Sequence, residues 1–370
     1  MSIIVLVTDD SSMLRRCLVS IDEHRPRVPV SEVIVVANGT PPKELDWLFA
    51  RTDIVLLISP VNLGFGGGCN WAAAIARGRR LLFMNDDAVA TPLWLSELNS
   101  AFEGARAVGV AGSRVLLRNG TLQEAGGVVW RDGSTSGVGR GMNPAASMYT
   151  VTRDVDYVSF CSAMVAREAW DAVGGLDDDY FPAYYEDTDF CLRARSLGWG
   201  VICAPGSVVV HAEGSSTSPR FKRFLTSRNR ARFVAKWQST LAGHVPPPSL
   251  TAGQKAVERA LGRTALRARS GVEKAGHRGR ALSTVIRSGE AERVDAADIR
   301  SLETRTLRRL LAVDEAYIDA LTRELEAVGP ATVIRQQYRS VRAATGRMIT
   351  RHPRVGRLMR TVIVSVGNRD

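Results

Sequence analysis

The sequence predicts an α/β protein with a mostly parallel central sheet, followed by a basic helical extension. Short apolar runs alternate with helical patterns along the first part of the chain, and two adjacent carboxylates follow one of these runs. The excess positive charge lies entirely in the last third. Residues 251–370 contain 24 Lys and Arg against 13 Asp and Glu, whereas residues 1–250 contain 25 of each. A chain of 370 residues has room for two or three domains.

The alternating pattern begins at the amino terminus. Apolar runs predict buried strands, and apolar residues at three- and four-residue steps predict helices. Strands joined by helices form right-handed βαβ units, so the pattern indicates a parallel sheet. The predicted strands are Ile3–Val7, Glu32–Ala37, Ile54–Ile58, Leu81–Met84, Val108–Ala111, Val155–Ser159, Val201–Cys203 and Val208–Val210. The predicted helices include Leu14–Ile21, Trp71–Arg77, Trp94–Phe102, Glu168–Val173 and Phe190–Leu197, and residues 112–150 are expected to be irregular or hairpin-like.

Residues 241–250 contain three consecutive prolines and are expected to link a domain of residues 1–240 to a basic region of residues 251–370. Apolar residues at helical spacing predict a long amphipathic helix over 296–328 and a second helix near 331–348. Arginine-rich helices of this kind suit an anionic membrane surface, which co-sedimentation with anionic vesicles would test. The alternative is packing on the first domain or self-association into a homo-oligomer. Nucleic acid is not an expected partner, because aromatic residues for base stacking are scarce there.

The five cysteines have no CxxC spacing and lie in apolar contexts, which favours reduced, buried thiols. No run of 18 apolar residues predicts a transmembrane helix, and the first residues lack the basic segment of a signal peptide. The expected location is the cytoplasm, with peripheral contact at the inner face of the plasma membrane if the basic region binds lipid.

Asp86 and Asp87 follow the predicted strand Leu81–Met84 directly. Ligands of parallel sheets lie beyond the carboxyl ends of the strands. Two adjacent carboxylates at such an edge suit a hydrated divalent cation with a phosphate group. The alternative is an ordinary turn, since Asn and Asp are common turn residues.

Two further acidic or basic groups are candidates for the same site. Glu186 and Asp187 open a predicted helix, where acidic residues also serve as helix caps. His211 ends the predicted strand Val208–Val210, a position where most histidines have no special function. The glycines at 64–68 contain G-x-G but do not follow the first strand, so a dinucleotide fingerprint is not expected.

Together these groups suit transfer from a phosphate-activated donor. Such a reaction needs a cation to neutralise the departing diphosphate and a carboxylate base to take the proton of the acceptor. Asp87 and His211 are expected to bind the metal, Asp86 the nucleotide ribose or a water of the cation, and Asp187 to be the base. Mixed oxygen and nitrogen ligands accept Mn²⁺ or Mg²⁺.

The first 240 residues resemble the family 2 glycosyltransferases with a GT-A fold, a Rossmann-like architecture. Bacterial rhamnosyl- and galactofuranosyltransferase-like members are the most similar. The resemblance is carried by the first strand to Thr8, by Val35–Gly39, by the motif Asn62-x-Gly64-x-Gly66-x-x-x-Asn70, and by Leu82–Asp87. Its most specific part is Gly174–Arg195, followed by Gly198-Trp199 and Val208–His211, and Arg228-Asn229-Arg230 matches a segment found after the catalytic core.

The resemblance implies an inverting transfer from a nucleotide sugar to a cell-envelope glycan or a lipid-linked acceptor. The implied catalytic residues are Asp187 and Glu186, and the implied metal ligands are Asp87 and His211. A dTDP- or UDP-sugar is the expected donor, and the residues expected to bind it are Thr8, Asp10, Asn38, Asn62, Gly64, Asn70 and Asp86.

Two departures from the family pattern leave the nucleotide open. Thr8 is followed by Asp9 and Asp10 where the family has Tyr-Asn, and Ala37 replaces an aspartate that contacts the base. The alternatives to a glycosyltransferase are another GT-A-like enzyme such as a nucleotidyltransferase, and a sugar-nucleotide-binding module without activity.

Overall fold

The computed structural model describes residues 1–9, 11–26, 31–103, 107–212, 218–248, 256–264 and 296–328. Asp10 and the predicted helix at 331–348 lie outside the described residues, as does most of the basic region. The chain divides into two compact units, Met1–Leu307 and Arg308–Asp370. The amphipathic helix predicted over 296–328 is confirmed. None of the described helices combines the length and the apolar character that crossing a membrane would require.

The parallel half of the sheet is built from the first four strands. Strand β1 (Ser2–Val7) lies between β2 (Glu32–Asn38) and β4 (Arg80–Asn85), and β3 (Val55–Ser59) pairs with the outer edge of β2. All of these pairings are parallel, so the carboxyl ends of β1, β2 and β4 meet at one edge. The predicted strands at these positions are confirmed to within two residues.

The second half of the sheet is mixed. Strand β11 (Ser162–Ala166) is antiparallel to β4 on one side and to β6 (Val108–Leu117) on the other, and β12 (Gly200–His211) runs parallel to β6. The remaining strands are β5 (Ala88–Ala90), β7 (Leu122–Glu124), β8 (Gly127–Val129), β9 (Thr135–Gly137) and β10 (Arg153–Asp154). Strands β5 and β10 pair with β12, β7 pairs with β6, and β8 and β9 form a separate hairpin.

Two strand predictions were wrong in this half. The predicted strand Val155–Ser159 is irregular, and the paired strand is Ser162–Ala166, which is buried along its whole length between two neighbours. The two short strands predicted at 201–203 and 208–210 are one strand, β12. Its register with β6 shifts between Ala204 and Val208, where Pro205 lacks an N–H for the ladder and produces a bulge.

Helices cover both faces of the sheet. Helices α1 (Ser12–His24) and α3 (Trp94–Ser100) pack on one face, where Leu14, Leu18 and Trp94 are fully buried. Helices α2 (Gly64–Ile75), α4 (Arg167–Val173) and α5 (Glu186–Ser196) pack on the other face. Helix α2 begins seven residues earlier than predicted, because its glycine-rich first turn gives no apolar periodicity. Helices α6 (Pro219–Leu241), α7 (256–264) and α8 (Ala296–Val328) follow the sheet.

Candidate active site

Asp87 and His211 meet at the edge of the sheet where β4 ends. Asp86 and Asp87 form the turn between β4 and β5, and β5 then pairs antiparallel with the end of β12. This pairing sets His211 opposite Ala88, so the His211 Nε2 atom lies 2.9 Å from Asp87 Oδ1. The two residues are 124 positions apart in the chain, and the sheet brings them into direct contact.

Gln123 on β7 fixes the orientation of the histidine ring. The His211 Nδ1 atom lies 2.8 Å from Gln123 Oε1, and because an amide oxygen only accepts hydrogen bonds, Nδ1 carries the proton. Nε2 is therefore the ring atom that faces Asp87, and a cation bound there would replace the proton between Nε2 and Asp87. Metal-binding histidines are usually oriented by such a partner on the other ring nitrogen.

This donor set fits a divalent cation that is also held by its substrate. An imidazole nitrogen and a carboxylate oxygen, side by side, are ligands that Mn²⁺ accepts. Among the described residues, no group of three His, Cys, Asp or Glu side chains is arranged to hold a metal. Asp87 and His211 would thus supply two ligands, and phosphate oxygens and water would supply the others, as is common for Mg²⁺ with nucleotides.

The charges at this edge are strongly coupled. Burial and the neighbouring Asp87 raise the pKa of Asp86 to about 7. Burial lowers the pKa of His211, but Cys161 and the hydrogen bond to Asp87 outweigh it and raise the pKa to about 11. Both shifts indicate a site where negative charge is in excess and a positive group is favoured next to Asp87.

The predicted base lies at the start of α5, and the loop before this helix is held in an unusual conformation. Tyr184 and Tyr185 have φ values of 79° and 77°, which are left-handed and cost on the order of 1 to 3 kcal/mol each for residues other than glycine. The amide nitrogen of Asn229 on α6 lies 2.8 Å from Tyr180 O, 2.9 Å from Ala183 O and 2.9 Å from Tyr184 O. One buried amide group therefore fixes the loop that leads to Glu186 and Asp187.

Asp187 is half-buried, and its carboxylate is bound by backbone amides. Its Oδ1 accepts from Thr188 N at 2.6 Å, and its Oδ2 accepts from Phe160 N at 3.4 Å. Burial raises the pKa of Asp187, which makes its carboxylate a stronger base. Burial and the charge of Asp187 also raise the pKa of Glu186, whose Oε2 has no hydrogen-bond partner among the described residues. A ligand hydroxyl could satisfy this oxygen.

The segment Ser159–Cys161 lies between the predicted base, Asp187, and the contact of Asp87 with His211. Phe160 N donates to Asp187, and Cys161 O accepts from Asn85 N at 3.0 Å, next to the acidic turn. Ser159 N donates to Glu124 Oε1 at 3.3 Å. Two consecutive amides therefore hold Glu124 and Asp187 next to each other, and the following residue reaches the end of β4.

Glu124 is a buried carboxylate next to Asp187, and burial together with the charge of Asp187 raises its pKa to about 7. In the unfolded chain this group loses its proton near its ordinary value of 4.5. The folded protein therefore keeps a proton that the unfolded chain has lost between about pH 4.5 and 7, and stability decreases as the pH rises through this range.

We compare the free energy of unfolding of Glu124→Gln with that of the parent at pH 4.5 and at pH 8. The difference between them is expected to change in favour of the variant by up to about 3 kcal/mol from the lower to the higher pH. Urea unfolding at the two pH values checks this expectation, and Glu23→Gln on the exposed side of α1 is the matched control. Equal differences between variant and parent at both pH values would show that Glu124 ionises normally.

The residues predicted to bind the donor occupy different parts of this edge. Thr8 follows β1, and Asp10 lies outside the described residues. Asn38 is buried, and it accepts from Leu63 N at 2.7 Å and donates to Gly64 O at 3.0 Å. Gly64 has a φ of 74°, and a Cβ there would lie 2.8 Å from Pro182 O.

The other asparagines also bind backbone. Asn62 Oδ1 accepts from Gly64 N at 2.8 Å, and Asn70 makes two hydrogen bonds to the backbone of Leu176. In the structure these side chains hold the start of α2 against the loop before α5. Their contact with a donor stays a prediction, and Ala37 packs in the apolar core.

Gln123, Glu124 and the segment Ser159–Cys161 were not predicted as site residues. They lie in or next to the stretch 112–159, where short strands and turns give no clear periodicity. The clearest sequence signal there is a glutamine and a glutamate before two glycines, Gly126 and Gly127, and by itself it indicates only a turn.

Comparison with known proteins agrees with this geometry. Residues 2–147 match the family model described as Glycosyl transferase family 2. O-antigen biosynthesis protein RfbC of Myxococcus xanthus is 31% identical over 229 residues, which are 58% of this chain and 17% of that protein. N-acetylglucosaminyl-diphospho-decaprenol L-rhamnosyltransferase of Mycobacterium tuberculosis is 30% identical over 82 residues, which are 22% of this chain and 26% of that protein. The matches thus span about a quarter or less of these relatives.

A solved structure shares the fold. The crystal structure of GalNAc-T7 with UDP, GalNAc and Mn²⁺ superposes with a TM-score of 0.54 and 14% identity, covering 70% of this chain and 54% of that one. The mixed α/β sheet described above is therefore a GT-A glycosyltransferase fold.

Proposed function

We propose that the chain, whose residues 2–147 match the model of glycosyl transferase family 2, belongs to that family and transfers a sugar, with inversion, from a nucleotide sugar to a glycan or lipid-linked acceptor. The proposal rests on the backbone hydrogen bonds of the segment Ser159–Cys161. They connect the Asp187 carboxylate to the end of β4, directly before the turn that contains Asp86 and Asp87. A base and a charge-neutralising site lie on either side of one short segment. This arrangement suits a direct displacement.

In the proposed reaction Asp187 accepts the proton of an acceptor hydroxyl. The hydroxyl oxygen forms a bond to the anomeric carbon, the bond from that carbon to the diphosphate oxygen breaks, and the nucleoside diphosphate leaves. A divalent cation held by Asp87 and His211 would neutralise charge on the leaving group. Glu186 and Glu124 flank Asp187 and offer acceptor oxygens to neighbouring hydroxyl groups. Attack from the face opposite the leaving group inverts the anomeric carbon.

The relatives suggest the classes of donor and acceptor. One is named for O-antigen synthesis, and the other for rhamnosyl transfer to a diphospho-decaprenol acceptor. We infer a dTDP- or UDP-sugar as the donor and a cell-envelope glycan, or its lipid-linked precursor, as the acceptor. Mn²⁺ or Mg²⁺ is the inferred cation.

A panel of donors tests the proposal. We expect at least one of the UDP-, dTDP- and GDP-sugars to raise the melting temperature of the full chain, and to raise it further with Mn²⁺, because a ligand stabilises the state that it binds. Release of the nucleoside diphosphate in the presence of acceptor then measures turnover. Stabilisation without release by any acceptor preparation would favour a binding module, and no stabilisation by any donor would contradict the proposal.

A further inference from the structure

Helix α7 comes after the predicted linker, yet it packs on the domain that contains the candidate active site. Ala256 and Ala260 are 2% and 3% exposed, and both belong to the same apolar cluster as Val155. Thr264, the last residue of this helix, is fully buried. The sequence placed α7 in the basic region of residues 251–370, but its burial joins it to the first domain.

The hydroxyl group of Thr264 binds a buried carboxylate. Thr264 Oγ1 donates to Asp156 Oδ1 at 2.8 Å, and Asp156 Oδ2 accepts from Val129 N at 2.9 Å. Thr264 Oγ1 also lies 3.0 Å from Ala260 O, but a carboxylate is the stronger acceptor for its single proton. Asp156 is 1% exposed, and a carboxylate so deeply buried needs hydrogen-bond donors on both oxygens. The Thr264 hydroxyl therefore helps to fix Asp156 in place.

A second contact connects α7 with the helix that begins near Asp187. Arg195 lies near the other end of α5, and its Nη1 atom is 3.0 Å from Val155 O while its Nη2 atom is 3.1 Å from Thr264 O. Planar guanidinium groups hold two such acceptors in a defined geometry. One side chain of α5 therefore binds both the end of α7 and the residue before Asp156.

These contacts fall on a segment with little support from the sheet. Residues 155–161 belong to no strand, and an isolated bridge at Tyr157 pairs them with the start of β8. Segments with few ladder hydrogen bonds open easily unless side chains hold them. The amides of Ser159 and Phe160, which bind the two carboxylates described above, lie on this same segment. Fixing Asp156 therefore limits where these amides can lie.

We propose that Thr264 is a positioning residue of the active site, which holds Asp156 and thereby places the amides that orient Asp187. The inference rests on the proposed function, in which Asp187 is the base, and it adds α7 to the parts of the chain that the reaction needs. Misplacing a reacting group by about 1 Å can cost about 100-fold in rate, even when the change lies far from the chemistry. Loss of the Thr264 hydroxyl should therefore slow transfer without weakening donor binding.

Thr264→Val removes the hydroxyl group and keeps the size of the side chain. We expect its turnover to fall about tenfold or more, while the donor dissociation constant in Mn²⁺ stays within about threefold of the parent. Thr264→Ser keeps the hydroxyl group and should transfer sugar at the parent rate. The matched control is Thr306→Val, because Thr306 is also a buried threonine on a helix after the linker.

Hydrogen exchange of the full chain, measured by mass spectrometry, reports on the segment without any need for turnover. We expect peptides that contain Ser159 and Phe160 to exchange at least about fivefold faster in Thr264→Val than in the parent or in Thr264→Ser. Arg195→Met removes the second contact of α7 and should also combine faster exchange with slower transfer. It tests the inference even if Thr264→Val does not fold.

The two measurements separate this inference from the proposed function. Exchange and turnover at the parent rates in both Thr264→Val and Arg195→Met would overturn the inference. A loss of donor affinity as large as the loss of turnover would also overturn it, since that result indicates a general loss of structure. If the parent transfers no sugar but the segment exchanges faster in both variants, the contact of α7 with the segment is supported and the proposed function alone is contradicted.

Discussion

Asp187→Asn is expected to reduce the rate of sugar transfer at least about 100-fold, while the donor dissociation constant stays within about threefold of the parent. A positioned general base typically contributes 100- to 10,000-fold, and an asparagine amide cannot accept the proton. The Asn side chain keeps the size of Asp, and its oxygen can still accept from Thr188 N. Donor binding should therefore survive, because Asp87 and His211, the proposed metal ligands, lie on the other side of the segment Ser159–Cys161.

Steady-state release of the nucleoside diphosphate and calorimetric donor titration give the two quantities. Asp171→Asn, on the exposed side of α4, is the matched control, since it makes the same substitution away from the site. Near-parent turnover by Asp187→Asn would remove the base assignment. A large loss of donor affinity in the same variant would place Asp187 at the donor rather than the acceptor.

Asp87→Ala is expected to abolish the gain in donor affinity that Mn²⁺ provides, and to weaken Mn²⁺ itself at least about 100-fold. The substitution removes one of the two proposed protein ligands and leaves His211 without its acidic partner, which lies 2.9 Å away. Gln123→Ala should have a smaller effect, about 10- to 100-fold on Mn²⁺ affinity, because it only frees the orientation of the histidine ring.

Electron paramagnetic resonance of free Mn²⁺ measures cation binding without any need for turnover. We expect Mn²⁺ affinity to fall in the order parent, Gln123→Ala, Asp87→Ala, as the loss of a ligand should have a larger effect than the loss of its partner's orientation. A melting curve of each variant shows whether it is folded. Mn²⁺ titrations that are the same for Asp87→Ala and the parent would exclude Asp87 as a ligand.

The sequence predicted the parts of the fold where local pattern and final environment agree. The apolar runs before Thr8, Asn38 and Asp86 are strands buried on both faces, so their composition alone identifies them. The GT-A fold was predicted from motifs in the same stretches and is confirmed. The match of residues 2–147 to the family 2 model agrees with the predicted resemblance. Asp87 and His211 were predicted to share one site, but their contact depends on β5, a strand that was not predicted and that pairs with the end of β12.

The rest depended on tertiary contacts that leave no local pattern. Glu124 lies on a three-residue strand, and only its hydrogen bond to Ser159 N places it beside Asp187. Asn229 lies in a segment that matches the family, yet the three residues whose carbonyl oxygens it contacts are 45 to 49 positions away in the chain. Residues 155–159 have strand-like composition, but the backbone turns there to bring two amides to two carboxylates.

The central claim is that one side of the segment Ser159–Cys161 binds the donor and the other side carries out the transfer. Donor titration and turnover, measured on the same preparation of Asp187→Asn in Mn²⁺, test it most directly. We predict saturable donor binding within about threefold of the parent, together with a turnover reduced at least about 100-fold. Turnover at the parent rate, or loss of donor binding together with turnover, would contradict the claim.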